Sequence, residues 1–416
     1  MSAPHGVPTF LTGRSGSVTA VPNPYATLLR TRGGPALSGS GLFARLPLSM
    51  AGIALLLLIV SVTDSYALGG AIQATWILVE ASLAPFLARL VDRRGQWQVV
   101  GPQVVVHVVA VAVLIALVDS GAPTWTWFAA AAVAGGALPV IGSLVRARWG
   151  FLLGSSPLLR TAYSWESVVD EFVFVIGPPA ATIMSVALGA STALVITIAI
   201  GTTGTALLLM QRRTQPPPRP ADHGPGQGSA LRVPGMTTVV AVMALLGAVF
   251  AGVEVTVIAT AREAGTTGAA GVVLALWSLS SMVAGLILGS LRQAPSLPRQ
   301  LLVGTTALTL LLLPLPFTDG LVVVAVVLLL AGFAVSPSLI AGFSLVEQLV
   351  PSRRLTEGLT WVTTGLSIGF ALGSPAAGVI VDRFGPNPGY WVGLAAAAAA
   401  TALIASNYRT LLSLVD

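Results

Sequence analysis

Stretches of about 20 apolar residues recur from Leu46 to Ala405, each long enough at 1.5 Å per residue to cross roughly 30 Å of hydrocarbon as a helix. None shows the period-two alternation of a barrel strand, so the spans read as helices rather than as the roughly ten-residue strands of a membrane β-barrel. Composition agrees. Only 9% of the 416 residues are charged and 55% are hydrophobic, with a mean hydropathy of +0.88, whereas soluble domains carry roughly 25% charged residues. The fold class is therefore an all-α membrane protein.

The spacing predicts helices over Leu46–Tyr66, Gly69–Leu90, Val99–Val118, Trp125–Val145, Ser164–Leu188 and Thr192–Met210. A second six follow over Met236–Ile258, Ala269–Leu291, Leu301–Phe317, Leu321–Leu345, Leu359–Val381 and Tyr390–Ala405. Every basic residue is arginine, the look of a GC-rich bacterial genome. With the N-terminus inside, Arg93, Arg94, Arg146, Arg148, Arg160, Arg212, Arg213, Arg219, Arg232, Arg292, Arg299, Arg353, Arg354 and Arg409 fall on one side, and Arg262 and Arg383 on the other. Short cytoplasmic loops are enriched in positive charge, so both termini are expected in the cytoplasm of a bacterial cell, with the chain crossing its membrane twelve times. The expected organisation is a flexible cytoplasmic tail over 1–43, a six-helix bundle over 44–210, a Pro/Gly-rich cytoplasmic linker over 211–233, a second bundle over 234–406 and a cytoplasmic tail over 407–416.

Two echoes relate the halves. Trp165 stands twelve residues before Gly177-Pro178-Pro179-Ala180-Ala181, and Trp361 twelve before Gly373-Ser374-Pro375-Ala376-Ala377, each pair 196 residues apart. Val91-Asp92-Arg93-Arg94-Gly95 likewise matches Val381-Asp382-Arg383-Phe384-Gly385. Duplicated bundles of this kind characterise secondary transporters. The turn after the second helix, Ala88-Arg89-Leu90-Val91-Asp92-Arg93-Arg94-Gly95-Gln96-Trp97, resembles the loop signature of the major facilitator superfamily: Asp92, Arg93 and Gly95 match, and Ala88, Gln96 and Trp97 depart. Ser164-Trp165-Glu166-Ser167 through Gly177-Pro178-Pro179, and Glu357-Gly358-Leu359-Thr360-Trp361, look similar to actinobacterial efflux-type permeases. The resemblance implies two pseudo-symmetric six-helix bundles around a central cavity, with Asp92, Arg93 and Gly95 as a gating motif. No arginine is expected within the fourth helix, where many proton antiporters of the family carry one.

An ionisable group at the bilayer centre costs at least about 2.5 kcal/mol, so each one needs a partner or a water-filled cavity. Glu80 lies about 18 Å along its helix from Asp92, near mid-membrane, and reads as a proton- or cation-binding carboxylate or as a hydrogen-bonded packing acid. Asp170 and Glu171 stand near the start of the fifth helix. Glu171 is preferred for the cavity, and Asp170 is as readily a partner of Arg160. Gly177, Pro178 and Pro179 are candidates for a helix bend that moves with alternating access. Asp64 and Glu254 are expected to face each other across the outer mouth. Trp76, Trp277 and Trp361 are candidates for an aromatic substrate pocket, whereas Trp97, Trp125, Trp127, Trp149 and Trp391 read as interfacial anchors. His107 reads as a packing residue.

The chain has no cysteine, and His5 and His223 sit in flexible segments without metal-ligand spacing. No nucleotide-binding loop is present, so no catalytic site, metal or cofactor is expected, and the basic charge signals topology rather than nucleic acid. The expected activity is secondary active transport by alternating access, by a monomer, with protons and a small molecule as partners and the lipid bilayer as solvent. Proton-coupled export of an amphipathic compound is the first expectation. Sugar or metabolite uptake is the alternative and predicts a cavity richer in charged pairs and amides. A membrane sensor is the remaining class.

Overall fold

The computed structural model describes residues 24–154, 156, 158–218, 230–290, 296–351 and 355–415. Among them are twelve helices long and apolar enough to span a membrane. In the first half, a short helix α1 (Pro24–Leu29) precedes α2 (Gly34–Thr63), α3 (Tyr66–Arg94), α4 (Gln96–Asp119), α5 (Thr124–Gly136), α6 (Ile141–Leu153), α7 (Leu158–Leu188) and α8 (Ala190–Met210). In the second half, α9 (Met236–Glu263), α10 (Thr267–Ser290), α11 (Leu297–Leu312), α12 (Leu321–Leu349), α13 (Leu355–Phe384) and α14 (Pro386–Val415) follow.

Helices extend beyond their apolar stretches. Residues 24–43, expected as flexible tail, are largely helical: α2 starts at Gly34 after the left-handed Gly33, and Leu28 and Leu37 are buried. The C-terminal tail from 407 is the end of α14, which buries Leu411. Residues 1–23 and 219–229, which hold His5, His223, Pro220, Pro225 and the linker glycines, lie outside the described residues.

The fourth span is two helices, α5 and α6, interrupted at 137–140. Pro139 has no N–H to offer a preceding carbonyl, and Leu138 N–H turns to Gly135 instead. The carbonyl of Ala134 is satisfied by His107, whose Nδ1 donates to it at 2.8 Å. His107 is buried and serves this break, in line with its reading as a packing residue. The interruption also moves the span's end past Val145 to Leu153, so Arg146 and Arg148 are helix residues rather than loop residues, contrary to expectation.

Inside a bilayer, lipid tails are as apolar as leucine, and helices associate through close packing at small residues. The two halves use the same plan. In the first, α2 packs on α8, where a side chain at Gly201 would meet Pro47 and one at Gly204 would meet Ala44 and Phe43. In the second, α9 packs on α13 and α14. Gly365, Gly369 and Gly373 lie directly against Val240, Ala244 and Ala248, and Gly252 against Gly393.

The halves meet through α3 on α13 and α7 on α10. Gly70 abuts Ser374, Gly378 abuts Tyr66 and Ala67, and Gly271 abuts Pro178 and Pro179. These contacts lie between mid-membrane and the end that carries the α2–α3 and α9–α10 turns, here called the tight end. There Met50, Ile53, Leu56, Leu57, Val60 and Tyr66 join one apolar cluster with residues of the second half.

Gly369→Val places branched bulk against the Ala244 carbonyl and is expected to destabilise the protein by about 1–3 kcal/mol. The thermal unfolding midpoint of the purified protein in detergent should fall, while Gly101→Ala, with open space around it, should leave the midpoint unchanged or slightly raised.

Candidate functional site

Helical periodicity places the mid-membrane acids. Gln73 of α3 reaches across to the second half, its Nε2 donating to Glu254 Oε1 at 3.2 Å and its Oε1 accepting from Ser374 Oγ at 2.9 Å. Glu80 follows seven residues later. Two turns on, at about 10 Å of rise, it occupies the same face and looks toward the second half below that contact. Glu171 stands seven residues before Pro178, which packs on Gly271 of α10, and so also faces the second half. Among the described residues, neither Glu80 nor Glu171 has a hydrogen-bond or ion-pair partner. On the opposite wall, the α13 face that carries Ser374 and Gly378 continues through Ser367, Thr364 and Thr360, a line of partly exposed hydroxyls. Two carboxylates on the first bundle and a line of hydroxyls on the second can hold a proton or cation and hydrogen-bond a polar solute.

A second charged group is built into the first half. Arg45 of α2, 3% exposed, lies 2.6 Å from Glu166 and 3.4 Å from Asp170 of α7. Glu166 is fully buried and also accepts from Trp149 Nε1 at 2.8 Å. Asp170 takes Arg146 of α6 at 2.7 Å, both of them about one-third exposed. Asp170 is thus a paired residue in the fourth turn of α7, because that helix begins at Leu158 rather than Ser164. The Arg160 side chain lies outside the described residues. Arg148, fully buried, donates from Nη1 to the carbonyls of Leu208 and Gln211 and to Thr214 Oγ1, and from Nε to Gln96 Oε1. It closes the C-terminus of α8, whose last carbonyls have no partner within the helix.

The expected Asp64–Glu254 pair does not form. Asp64 ends α2 in a left-handed conformation, φ 53°, and pairs with Arg262 at 2.8 Å. Glu254 lies nine residues inside the end of α9, about 13 Å deeper, because α9 runs past the expected Ile258 to Glu263. The three tryptophans do not share a pocket either. Trp76 is buried in the first half with its ring edge-on to His107 at 5.3 Å, Trp277 is buried against Phe250 at 5.5 Å, and Trp361 is half-buried on α13. Of the expected anchors, Trp97, Trp125 and Trp391 are exposed, but Trp127 and Trp149 are core residues.

In the gating motif, Gly95 adopts φ 91° and its N–H closes α3 onto Val91 at 2.7 Å, while Asp92 and Arg93 are exposed. A side chain at Gly95 would come within 3.0 Å of Gln215, so the start of the linker roofs the turn. Gly177 sits against Ser49, whose Oγ donates to Val173 O at 2.8 Å, and α7 stays helical through Pro178 and Pro179. Gln73, Ser374, Arg45 and Glu166 were not singled out in the sequence. Gln73 had a signal, since it shares Glu80's face at heptad spacing, whereas Arg45 and Glu166 are 121 residues apart and only packing joins them. Among the described residues no group of three or more His, Cys, Asp or Glu side chains is placed to hold a metal.

The family model described as Major Facilitator Superfamily matches residues 37–373. No curated protein matches the chain. Solved structures of similar fold include the nucleoside transporter NupG, with a TM-score of 0.67 at 14% identity over 91% of this chain and 98% of that one. An auto-inhibited POT family peptide transporter gives 0.67 at 15% identity over 89% and 95%. A POT family transporter in complex with 5-aminolevulinic acid gives 0.68 at 9% over 93% and 97%.

Breaking a buried ion pair from one side leaves an uncompensated charge and costs about 3–5 kcal/mol, whereas replacing both partners by apolar residues costs far less. Glu166→Leu alone is therefore expected to lower the unfolding midpoint sharply, and adding Arg45→Met should recover much of the loss. A double-mutant cycle of melting curves measures the difference.

Proposed function

The chain belongs to the major facilitator superfamily, and from that premise we propose that it is a proton-coupled uptake carrier for a small polar metabolite, alternating its central cavity between the two faces of the membrane. It is a twelve-helix secondary transporter of a small molecule and not a catalytic enzyme. The observation that carries the finer reading is a pair of carboxylates, Glu80 and Glu171, that have no partner among the described residues and lie on faces turned to the second half at mid-membrane depth. A charged group held at that depth without a partner implies a water-filled path.

The arginine distribution supports placing the termini in the cytoplasm, which makes the tight end the outer one and the conformation inward-open. Glu80 and Glu171 then face the cytoplasmic side of the closure, and Asp92, Arg93 and Gly95 sit at the cavity's inner rim. Gly177, Pro178 and Pro179 lie where α7 meets α10, a place where a flexible backbone would let the contact open and close.

Uptake is preferred to export for two reasons. The Arg146–Asp170 ion pair supplies one charged pair of the kind the uptake alternative predicts, and Thr360, Thr364 and Ser367 add hydroxyls that suit a polar solute. The similar solved structures are transporters of nucleosides and peptides, which are polar solutes, while an efflux lineage rests on the short resemblances alone.

The test is flux into liposomes containing the purified protein, with nucleosides, dipeptides and sugars offered under an imposed pH gradient. An inward proton gradient should drive accumulation of at least one class, and Glu80→Gln should abolish gradient-driven accumulation while sparing exchange of substrate for substrate. Movement of substrate against the direction of the proton would establish export by antiport instead. Gradient-independent behaviour of the whole panel would favour the sensor reading.

A further inference from the structure

The tight end is joined by an aspartate that neither the gating motif nor the cavity accounts for. Asp382 lies two residues before the end of α13 in the second half, and its carboxylate reaches the first turn of α3 in the first half. Oδ1 accepts the Tyr66 N–H at 2.8 Å, and Oδ2 accepts the Ala67 N–H at 2.9 Å and the Ser65 hydroxyl at 2.8 Å. A helix leaves its first N–H groups without intrahelical partners, and its N-terminus carries a partial positive charge. In α3 the account closes across the two halves: Tyr66 and Ala67 use Asp382, Leu68 uses Ser65 Oγ at 3.1 Å, and Gly69 bonds the Ser65 carbonyl. Most helices fill these places from their own chain neighbourhood. Here the cap is supplied from more than 300 residues away.

The approach that makes this possible is specific. Gly378, one turn before Asp382, lies against the backbone of Tyr66 and Ala67, where a methyl group would collide. Asp382 is itself exposed, so water can replace every one of its partners once the halves part. A link of this kind is favourable when made and tolerable when broken, as a contact that must cycle requires. The neighbouring Asp64–Arg262 pair also crosses the halves.

The sequence echo gains a meaning from this placement. Val381 to Gly385 repeats Val91 to Gly95, and the two turns share one geometry. Gly385 and Gly95 have φ of 85° and 91°, and their N–H groups close on Val381 and Val91 at 2.9 and 2.7 Å.

We propose that Asp382 is a positioning residue of the transport cycle, a latch whose carboxylate holds the start of α3 while the tight end is shut and releases it each time that end opens. This rests on the alternating-access reading above. The latch sets the balance between closed and separated tight ends without touching substrate.

The cysteine-free chain allows a direct test. Spin labels on Ser120→Cys and Thr266→Cys, one in each half at the tight end, report their separation by pulsed EPR in lipid nanodiscs. The parent should give a predominantly short distance. Asp382→Asn should raise the ratio of separated to closed molecules roughly tenfold, the effect of weakening charge-assisted hydrogen bonds. Gly378→Ala should shift the ratio in the same direction by wedging the contact. Asp319→Asn, which alters a bond to Asn387 within the second half, should not. An Asp382→Asn protein that melts like the parent and keeps the parent's distance distribution overturns the latch. The distance measurement needs no substrate, so absence of flux in the parent would fault the transport reading alone, and an unchanged distribution with flux intact would fault the latch alone.

Discussion

In hydrocarbon no water stands ready to take the place of a missing hydrogen bond, so every polar group between the two membrane faces must find its partner within the protein. That requirement makes each span a helix, and it also explains where the side chains go. His107 takes the carbonyl left over at the α5–α6 break, Arg148 takes those at the end of α8, and Trp149 and Arg45 share the carboxylate of Glu166. Glu80 and Glu171, by contrast, have no hydrogen-bond or ion-pair partner among the described residues.

The same requirement separates fixed from movable contacts. Within each half, helices meet at glycines so closely that backbone lies on backbone, as Gly369 does on Ala244. Such dry, apolar contact gains nothing from rearrangement. Between the halves the contacts include polar links: Gln73 with Glu254 and Ser374, Asp64 with Arg262, and Asp382 with the first turn of α3. Links near an aqueous end have water as an alternative partner, so they can be remade. Rigid bundles joined at one end by exchangeable polar contacts are what a rocking mechanism needs.

Some of the site was legible from residue order alone. Glu80's depth follows from its distance to Asp92, and its facing follows from the heptad that links it to Gln73. On α7, Pro178 lies against the second half, whereas Asp170 turns to Arg146 and Arg45. The misplacements share a cause. Arg146, Arg148 and Trp149 were assigned to a loop and an interface because charge and tryptophan mark span ends on average, yet a helix that continues past its apolar stretch can bury Arg148 and Trp149 and pair Arg146 if partners await them. Those partners, Asp170, Gln96, Leu208 and Glu166, come from other helices.

What residue order determined is the set of properties that depend on local composition and period: twelve spans in two halves of six, the tight turns at Gly95 and Gly385, and the depth of Glu80. Hydropathy and helical pitch act along the chain and can be summed there. What only the tertiary structure decided is which acids are paired and which are not, that Glu254 meets Gln73 rather than Asp64, and that an aspartate at the end of α13 caps α3. Those outcomes depend on which helices become neighbours and at what rotation, and close packing among twelve helices settles both through contacts hundreds of residues apart.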